Sequence, residues 1–266
     1  MKRIEKALDI QYKALHENHW DNVLLITGDE GTGKSNLALH LLEYWLNKKY
    51  GEVDPEKHNN YINLDIELWA NSLSQCNNGD MNILDESGEM SNKRSMSKLN
   101  FAIEKTYQII RGNNINSIFV LPSVFDMSGF FTKRRARGLI YVYKRGRFAY
   151  WNKEKLRDII DINSRKILKK VWVRSPTFND HFPIYKGKLL DIYNQKKKDH
   201  MKDTRAELAK TIADIKKNKE PFSERDKIIY RLRKKYEVGE VAKITKMTKR
   251  NIQMICKKIK ENNVEI

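Results

Sequence analysis

Through the first two-thirds of the chain, short uninterrupted apolar runs alternate with stretches of helical spacing. Val23-Leu24-Leu25-Ile26-Thr27 follows Asn22 and stops at Gly28, which predicts a strand buried on both faces of a parallel sheet. A helical stretch over residues 10–20 precedes it. Beyond a glycine-rich turn, Leu37, Ala38, Leu41, Leu42, Tyr44 and Trp45 recur every three or four positions, predicting an amphipathic helix over residues 35–48. Apolar runs at 61–64, 81–84 and 117–121 predict further strands, and the stretches between them are long enough for helices, one over residues 98–111. Residues 139–143 and 147–151 flank Lys144, Arg145 and Gly146, a strand followed by a hairpin return, and residues 167–173 predict one more strand. The alternation predicts an α/β fold, a mainly parallel central sheet flanked by helices.

After about Tyr193 the pattern changes. Residues 194–220 are polar and charged, but Leu208, Ile212 and Ile215 keep helical spacing, so a charged helical linker is expected. Pro221, Phe222 and Ser223 open a third segment with three helical stretches, at 224–236, 238–244 and from Thr248, a plausible N-cap, to 259. The predicted organisation is a domain over 1–193, the linker over 194–220, and a small all-α module over 221–266.

Charge adds a partner class to this outline. The 266 residues carry 52 Lys+Arg against 34 Asp+Glu, a formal +18, and residues 221–266 alone hold 13 basic and 6 acidic side chains. Such an excess favours a polyanion such as nucleic acid or an acidic membrane surface. The two cysteines, Cys76 and Cys256, lie far apart without a partner motif, which argues against a disulfide framework or a cysteine zinc site and for a reducing cytoplasm. The longest apolar segment, residues 118–125, is broken by Pro122 and Ser123 and is far shorter than the roughly 20 residues that span a bilayer, so no stable membrane insertion is expected. His16 and His19 are three apart on a predicted helix, without a third ligand at metal spacing.

The densest chemical signal is Gly28-Asp29-Glu30-Gly31-Thr32-Gly33-Lys34-Ser35, followed by Asn36, between a predicted strand and a predicted helix. Glycines in a G-x-x-x-x-G-K-S pattern let backbone N–H groups curl around phosphate oxygens; Lys34 can reach the β- and γ-phosphates of ATP, and Ser35 can offer its hydroxyl to Mg²⁺. The run Met81-Asn82-Ile83-Leu84 ends in Asp85-Glu86, where Asp85 can assist Mg²⁺ and Glu86 can orient and deprotonate water for attack on the γ-phosphate. Asn63-Leu64-Asp65 is a rival, but Ile66 follows it rather than a second acid. An acidic strand-to-helix cap is the plainer alternative for either pair.

Together these motifs resemble the Walker A and Walker B elements of P-loop NTPases of the additional-strand, catalytic-glutamate division, which includes AAA+, RecA and FtsK/HerA-type motors. The resemblance implies an ATP hydrolase that uses Mg²⁺, with an intervening strand at 61–64. It also implies a polar γ-phosphate sensor ending the next core strand, for which Ser123 is the matching position and Asn116 an alternative only if the strand is misread. Residues 85–89, 121–126 and 137–143 are similar to compact Zot-like or HerA/FtsK-like ATPases of viruses and plasmids, although Zot proteins proper carry a membrane segment and this chain shows none. Such enzymes place ATP at a subunit interface, which implies a homo-oligomer, ring or filament, and a trans-acting arginine. Lys133, Arg134, Arg135 and Arg137 form the candidate cluster, followed by Arg145 and Arg147; Arg134 and Arg137 are the preferred fingers, against a DNA-facing or solvated basic loop.

Residues 239–253 resemble the helix-turn-helix of bacterial and archaeal regulators. Val241, Ala242, Met247 and Ile252 fall where that motif packs its two helices. Thr248, Lys249, Arg250, Asn251, Gln253 and, one turn on, Lys257 then face duplex DNA, with Asn and Gln suited to adenine edges, Arg to guanine, and the lysines to phosphate. Lys246 departs from the motif where a turn glycine is common. A basic helical hairpin that packs on the ATPase or on a protein partner is the alternative. The expected function is a Mg²⁺-dependent ATPase acting on duplex DNA in replication, packaging or transfer of a virus or mobile element. A nucleotide-switched DNA-binding regulator or partitioning factor, or a helicase loader, is the rival.

Overall fold

With no charged side chain between Asn22 and Gly28, the first apolar run has no face to offer to water, and it becomes the central strand of the sheet. The computed structural model describes residues 1–18, 21–85, 104–105, 113–127, 129–166, 170–218 and 223–261. In chain order the described elements are α1 (Lys2–Asn18), β1 (Asn22–Gly28), α2 (Lys34–Tyr50), β2 (Ile62–Asn63), α3 (Ile66–Leu73), β3 (Met81–Leu84), β4 (Asn116–Val120), β5 (Ala136–Lys144), β6 (Arg147–Asn152), α4 (Lys153–Lys166), β7 (Phe178–His181), α5 (Leu190–Asn218), α6 (Glu224–Lys235), α7 (Val238–Thr245) and α8 (Lys249–Glu261). They divide into two compact units, Met1–Lys202 and Asp203–Ile266.

In the first unit, the described strands form one sheet in the order β2-β3-β4-β1-β5-β6-β7. The first five in that order run parallel, β6 pairs antiparallel to β5, and β7 antiparallel to β6, so the fold is α/β with a mainly parallel sheet. Helix α2 packs on β1, β3 and β4, with Leu37, Leu41 and Trp45 fully buried and the Trp45 indole N–H donating to the Gly79 carbonyl at 2.9 Å. Helix α4 packs on β5 and β6. Because β1, β3, β4 and β5 share a direction, the segments that leave their carboxyl ends emerge along one edge of the sheet. Open α/β sheets collect ligands at that edge.

Several elements differ from the sequence expectation. Helix α1 starts at Lys2 rather than at residue 10, because Ile4 and Leu8, four apart and 1% exposed, extend the buried stripe into the charged N-terminal segment. The strand near residue 62 is only two residues long and lies outside β3; the strand between β1 and β3 is β4, which comes later in the chain. No strand forms at 171–173, which is a 3₁₀ turn. There Asn163 accepts from the Lys170 N–H at 2.6 Å and donates to the Lys170 carbonyl at 2.8 Å, while Trp172 meets Tyr141, Tyr143 and Trp151 edge-on. The turn thus packs its aromatic ring on residues of β5 and β6 instead of joining the ladder. The edge strand is the polar Phe-Asn-Asp-His of β7, paired to β6. The helix expected over 98–111 lies outside the described residues, save for 104–105.

In the C-terminal unit, α6, α7 and α8 pack around Ile229, Val241 and Ile252, with Ala242 and Met247 against them. Glu237 and Glu240 close a capping box at the start of α7. Helix α7 ends on Lys246 in the left-handed conformation, φ 56°, ψ 32°. A side chain is strained there and glycine is not. Lys246→Gly is therefore expected to stabilise the full chain by about 0.5–1 kcal/mol, checked by denaturant unfolding.

Candidate functional site: a glycine-loop cavity at the carboxyl edge of the sheet

Gly28 ends β1 against Val142 of β5, and the chain turns there with φ 143°. Gly31 at φ 73° and Gly33 at φ 95° are also left-handed, the kind of backbone from which anion-binding nests of N–H groups are built. Gly33 is the N-cap of α2, so the loop delivers the positive end of a two-faced helix to the same place. Within the loop, Thr32 donates its hydroxyl to the Asp29 carbonyl at 2.7 Å. Lys34 folds back across it, its ammonium donating to the Gly28 and Asp29 carbonyls, each at 2.8 Å. Burial holds the Lys34 ammonium below the ordinary lysine range, opposed by the nearby carboxylates of Asp85, Glu30 and Asp29.

The acidic end of β3 lies across from this loop. Asp85 is 2% exposed, its N–H donates to the Asn63 carbonyl at 2.8 Å, and its carboxylate accepts from the Tyr193 hydroxyl at 2.8 Å. Lys34, Ser35 and Asp85 line one cavity of about 690 Å³, together with Arg145 from the β5–β6 turn and Tyr193 and Lys197 from α5. Glu30, Gly31, Gly33 and Asn36 also border it. The donor set suits a magnesium nucleotide: a serine hydroxyl and a carboxylate are the hard oxygen ligands that Mg²⁺ takes, and loop amides with Lys34 match phosphate. Asn36 has a second task, since its side-chain oxygen accepts from the Tyr185 N–H at 3.0 Å and anchors the segment after β7. The rival acid, Asp65, accepts from the N–H groups of Glu67 and Leu68 as the N-cap of α3.

Other predicted residues fall elsewhere. Glu86 lies outside the described residues, as do 87–89. Ser123 follows Pro122, which lines the cavity, but its hydroxyl caps the 3₁₀ turn Val124–Asp126 by accepting from the Phe125 N–H at 3.3 Å. Asn116 begins β4, paired with Asn22 at the opposite end of β1. Arg134 is exposed on the helical turn Phe130–Arg135 before β5, and Arg137 sits near the start of β5. That is the end of the sheet remote from the loop, where Arg137 lines a separate cavity with Asp21 and Lys153 and is held below the usual arginine range by burial. Neither arginine borders the glycine-loop cavity of its own chain; Arg145 does.

Tyr193 and Lys197 are the residues that sequence reasoning missed. They lie more than a hundred positions beyond Asp85, in or beside a segment that reads as a solvated linker, and no local pattern marks them. Burial, followed by the Asp85 charge, pushes the Tyr193 phenol up to about 12, so it remains a proton donor at neutral pH.

In the C-terminal unit, the Thr248 hydroxyl accepts from the Asn251 N–H at 3.3 Å and caps α8. Lys249, Arg250, Asn251, Gln253 and Lys257 are exposed along that helix, and Ile252 turns inward. Gln253 and Lys257 also border a cleft between α6 and α8 that holds Arg233, Lys234 and Lys260.

No known protein-family profile matches the chain, and no curated protein matches it. Among solved structures it is similar to the crystal structure of B204, the DNA-packaging ATPase from Sulfolobus Turreted Icosahedral Virus, at 16% identity and a TM-score of 0.37, over 52% of this chain and 95% of that one. Among the described residues, no helix is long and apolar enough to cross a membrane.

Proposed function

We propose that this protein is a Mg²⁺-dependent ATP hydrolase that acts on duplex DNA in the replication, packaging or transfer of a virus or mobile element. One observation carries the proposal: the glycine-rich loop, Lys34, Ser35 and a buried Asp85 border one cavity at the carboxyl ends of β1 and β3, with β4 between them. Lys34 and the loop amides would bind the phosphates, and Ser35 with Asp85 would hold Mg²⁺. When bound, Mg²⁺ neutralises charge on the phosphoryl oxygens. Glu86, next to Asp85 in the chain, accepts the proton of the attacking water. Arg145 contributes positive charge from within the chain, and Arg134 and Arg137 serve the site of a neighbouring copy in a homo-oligomer. Ser123, next to Pro122 at the cavity wall, is the candidate γ-phosphate sensor, a role for which its hydroxyl would have to leave the Phe125 N–H.

The C-terminal unit is the DNA-holding part in this reading. Its support is the exposed basic and amide side chains Lys249, Arg250, Asn251, Gln253 and Lys257 on a helix that Thr248 caps and Ile252 anchors. Steady-state ATP hydrolysis with and without duplex DNA tests the whole proposal. Duplex DNA is expected to raise turnover severalfold, and Glu86→Gln to keep ATP binding while lowering turnover by about 10²–10⁴. Slow turnover indifferent to DNA would instead indicate a nucleotide-switched regulator, and near-normal turnover in the Glu86 variant would remove Glu86 from its role.

A further inference from the structure

We infer that Tyr193 is a positioning residue of this site, whose hydroxyl holds the Asp85 carboxylate in place for a metal ion and so ties metal affinity to the first turns of α5. The inference rests on the magnesium-nucleotide reading of the cavity and deepens it.

The phenol donates to the Asp85 carboxylate at 2.8 Å, and Ser35 lines the same cavity. Asp85 and Tyr193 are 2% and 8% exposed, so bulk water does not substitute freely for either partner. A carboxylate has two oxygens and several lone pairs, so the hydrogen bond from Tyr193 leaves Asp85 with lone pairs for a cation. Outer hydrogen-bond partners of this kind fix the orientation of metal ligands, and losing one costs about 10–100-fold in metal affinity.

The helix that carries Tyr193 is anchored independently of it. The Tyr185 N–H is held by the side chain of Asn36, the Tyr185 hydroxyl accepts from the Leu189 N–H at 3.3 Å, and Leu190 N–H donates to the Gly187 carbonyl at 3.2 Å, which starts α5 at a set point. One turn on, the Lys196 ammonium donates to the carbonyls of Asn59 at 2.7 Å and Ile62 at 2.8 Å, gripping the segment that enters β2. Lys197 comes within 3.4 Å of the Tyr193 oxygen. These contacts define where the phenol sits before any ligand arrives. By linkage, whatever metal binding gains from the position of Tyr193, the docking of the first turns of α5 gains from metal binding.

The test uses the full chain and a fluorescent ATP analogue, with binding measured first in EDTA and then against increasing Mg²⁺. Tyr193→Phe keeps the buried ring and removes only the hydroxyl. The expected result is unchanged affinity in EDTA and a half-saturating Mg²⁺ concentration raised about 10–100-fold. Hydrogen exchange over residues 190–202 gives a second readout: Mg²⁺ with the nucleotide should slow it in the wild type, and less so in the variant. An identical Mg²⁺ titration in both proteins would overturn the inference while leaving the proposed function standing. A wild type whose nucleotide binding ignores Mg²⁺ would overturn both.

Discussion

Changing Lys34 to Ala is expected to weaken ATP binding by about 100-fold or more and to lower any turnover by about 10²–10³. The Lys34 ammonium is held by two carbonyls of its own loop at 2.8 Å each, at the wall of the cavity and in a partly desolvated position. Phosphate oxygens offer the same cation two charge-assisted hydrogen bonds in place of two neutral acceptors. At about 1.5–3 kcal/mol each, losing two such bonds amounts to at least two orders of magnitude. The fold should tolerate the change, because the Gly28 and Asp29 carbonyls it releases lie beside a cavity that water can enter, and the stability cost should stay near 1 kcal/mol. Nucleotide titration and thermal unfolding of the same variant separate the two effects. Undiminished binding would mean that the loop is not a phosphate site.

A methyl group at Gly28 is expected to be the most damaging alanine substitution among the described glycines. A Cβ there would come 2.3 Å from the Val142 carbonyl oxygen and 3.1 Å from its carbon, both backbone atoms of the adjacent strand. Backbone in the middle of a sheet cannot move aside without breaking the pairing of Thr27 with Tyr141 and of Gly28 with Val142. Overpacking and the strained φ of 143° together point to a loss of about 3 kcal/mol or more, or roughly 6–12 °C in the melting temperature of a unit this size. Gly31→Ala is the control. It has a φ of 73° but no atom within 4 Å, so only the backbone term applies, about 1 kcal/mol. Equal melting temperatures for the two variants would refute the steric argument.

The local parts of this architecture are legible because their causes are local. A short run of four apolar residues and a threonine, closed by glycine, fits a strand with both faces covered, and β1 is buried at every position. Apolar spacing of three and four over 35–48 became α2, two alternating runs around Arg145 and Gly146 became the β5–β6 hairpin, and the C-terminal segment formed its three helices. The glycine-rich loop reads as a phosphate site for the same reason, since positive φ and an absent Cβ are properties of individual residues. Lys246 was marked by sequence as a misplaced side chain, and its backbone carries the corresponding left-handed strain.

Less of this applies to β7, whose Phe-Asn-Asp-His has no alternating pattern and becomes a strand through its pairing with β6. The same holds for the aromatic turn at 171–173, where Trp172 had rings of β5 and β6 to pack against.

The residues between 22 and 36 determine in their own order that a strand, a left-handed glycine loop and a helix follow one another, because each depends on side chains a few positions apart. Which groups complete the cavity depends on chain segments from about 50 to more than 150 residues away. Parallel pairing of β3, β4 and β1 brought Asp85 to the loop, the hairpin turn brought Arg145, and the anchoring of α5 by Lys196 and Tyr185 brought Tyr193 and Lys197. Tyr193 and Lys197 carry no local signature, since a tyrosine in a charged helix becomes a partner of a buried carboxylate only when the packing of the sheet puts the two 2.8 Å apart.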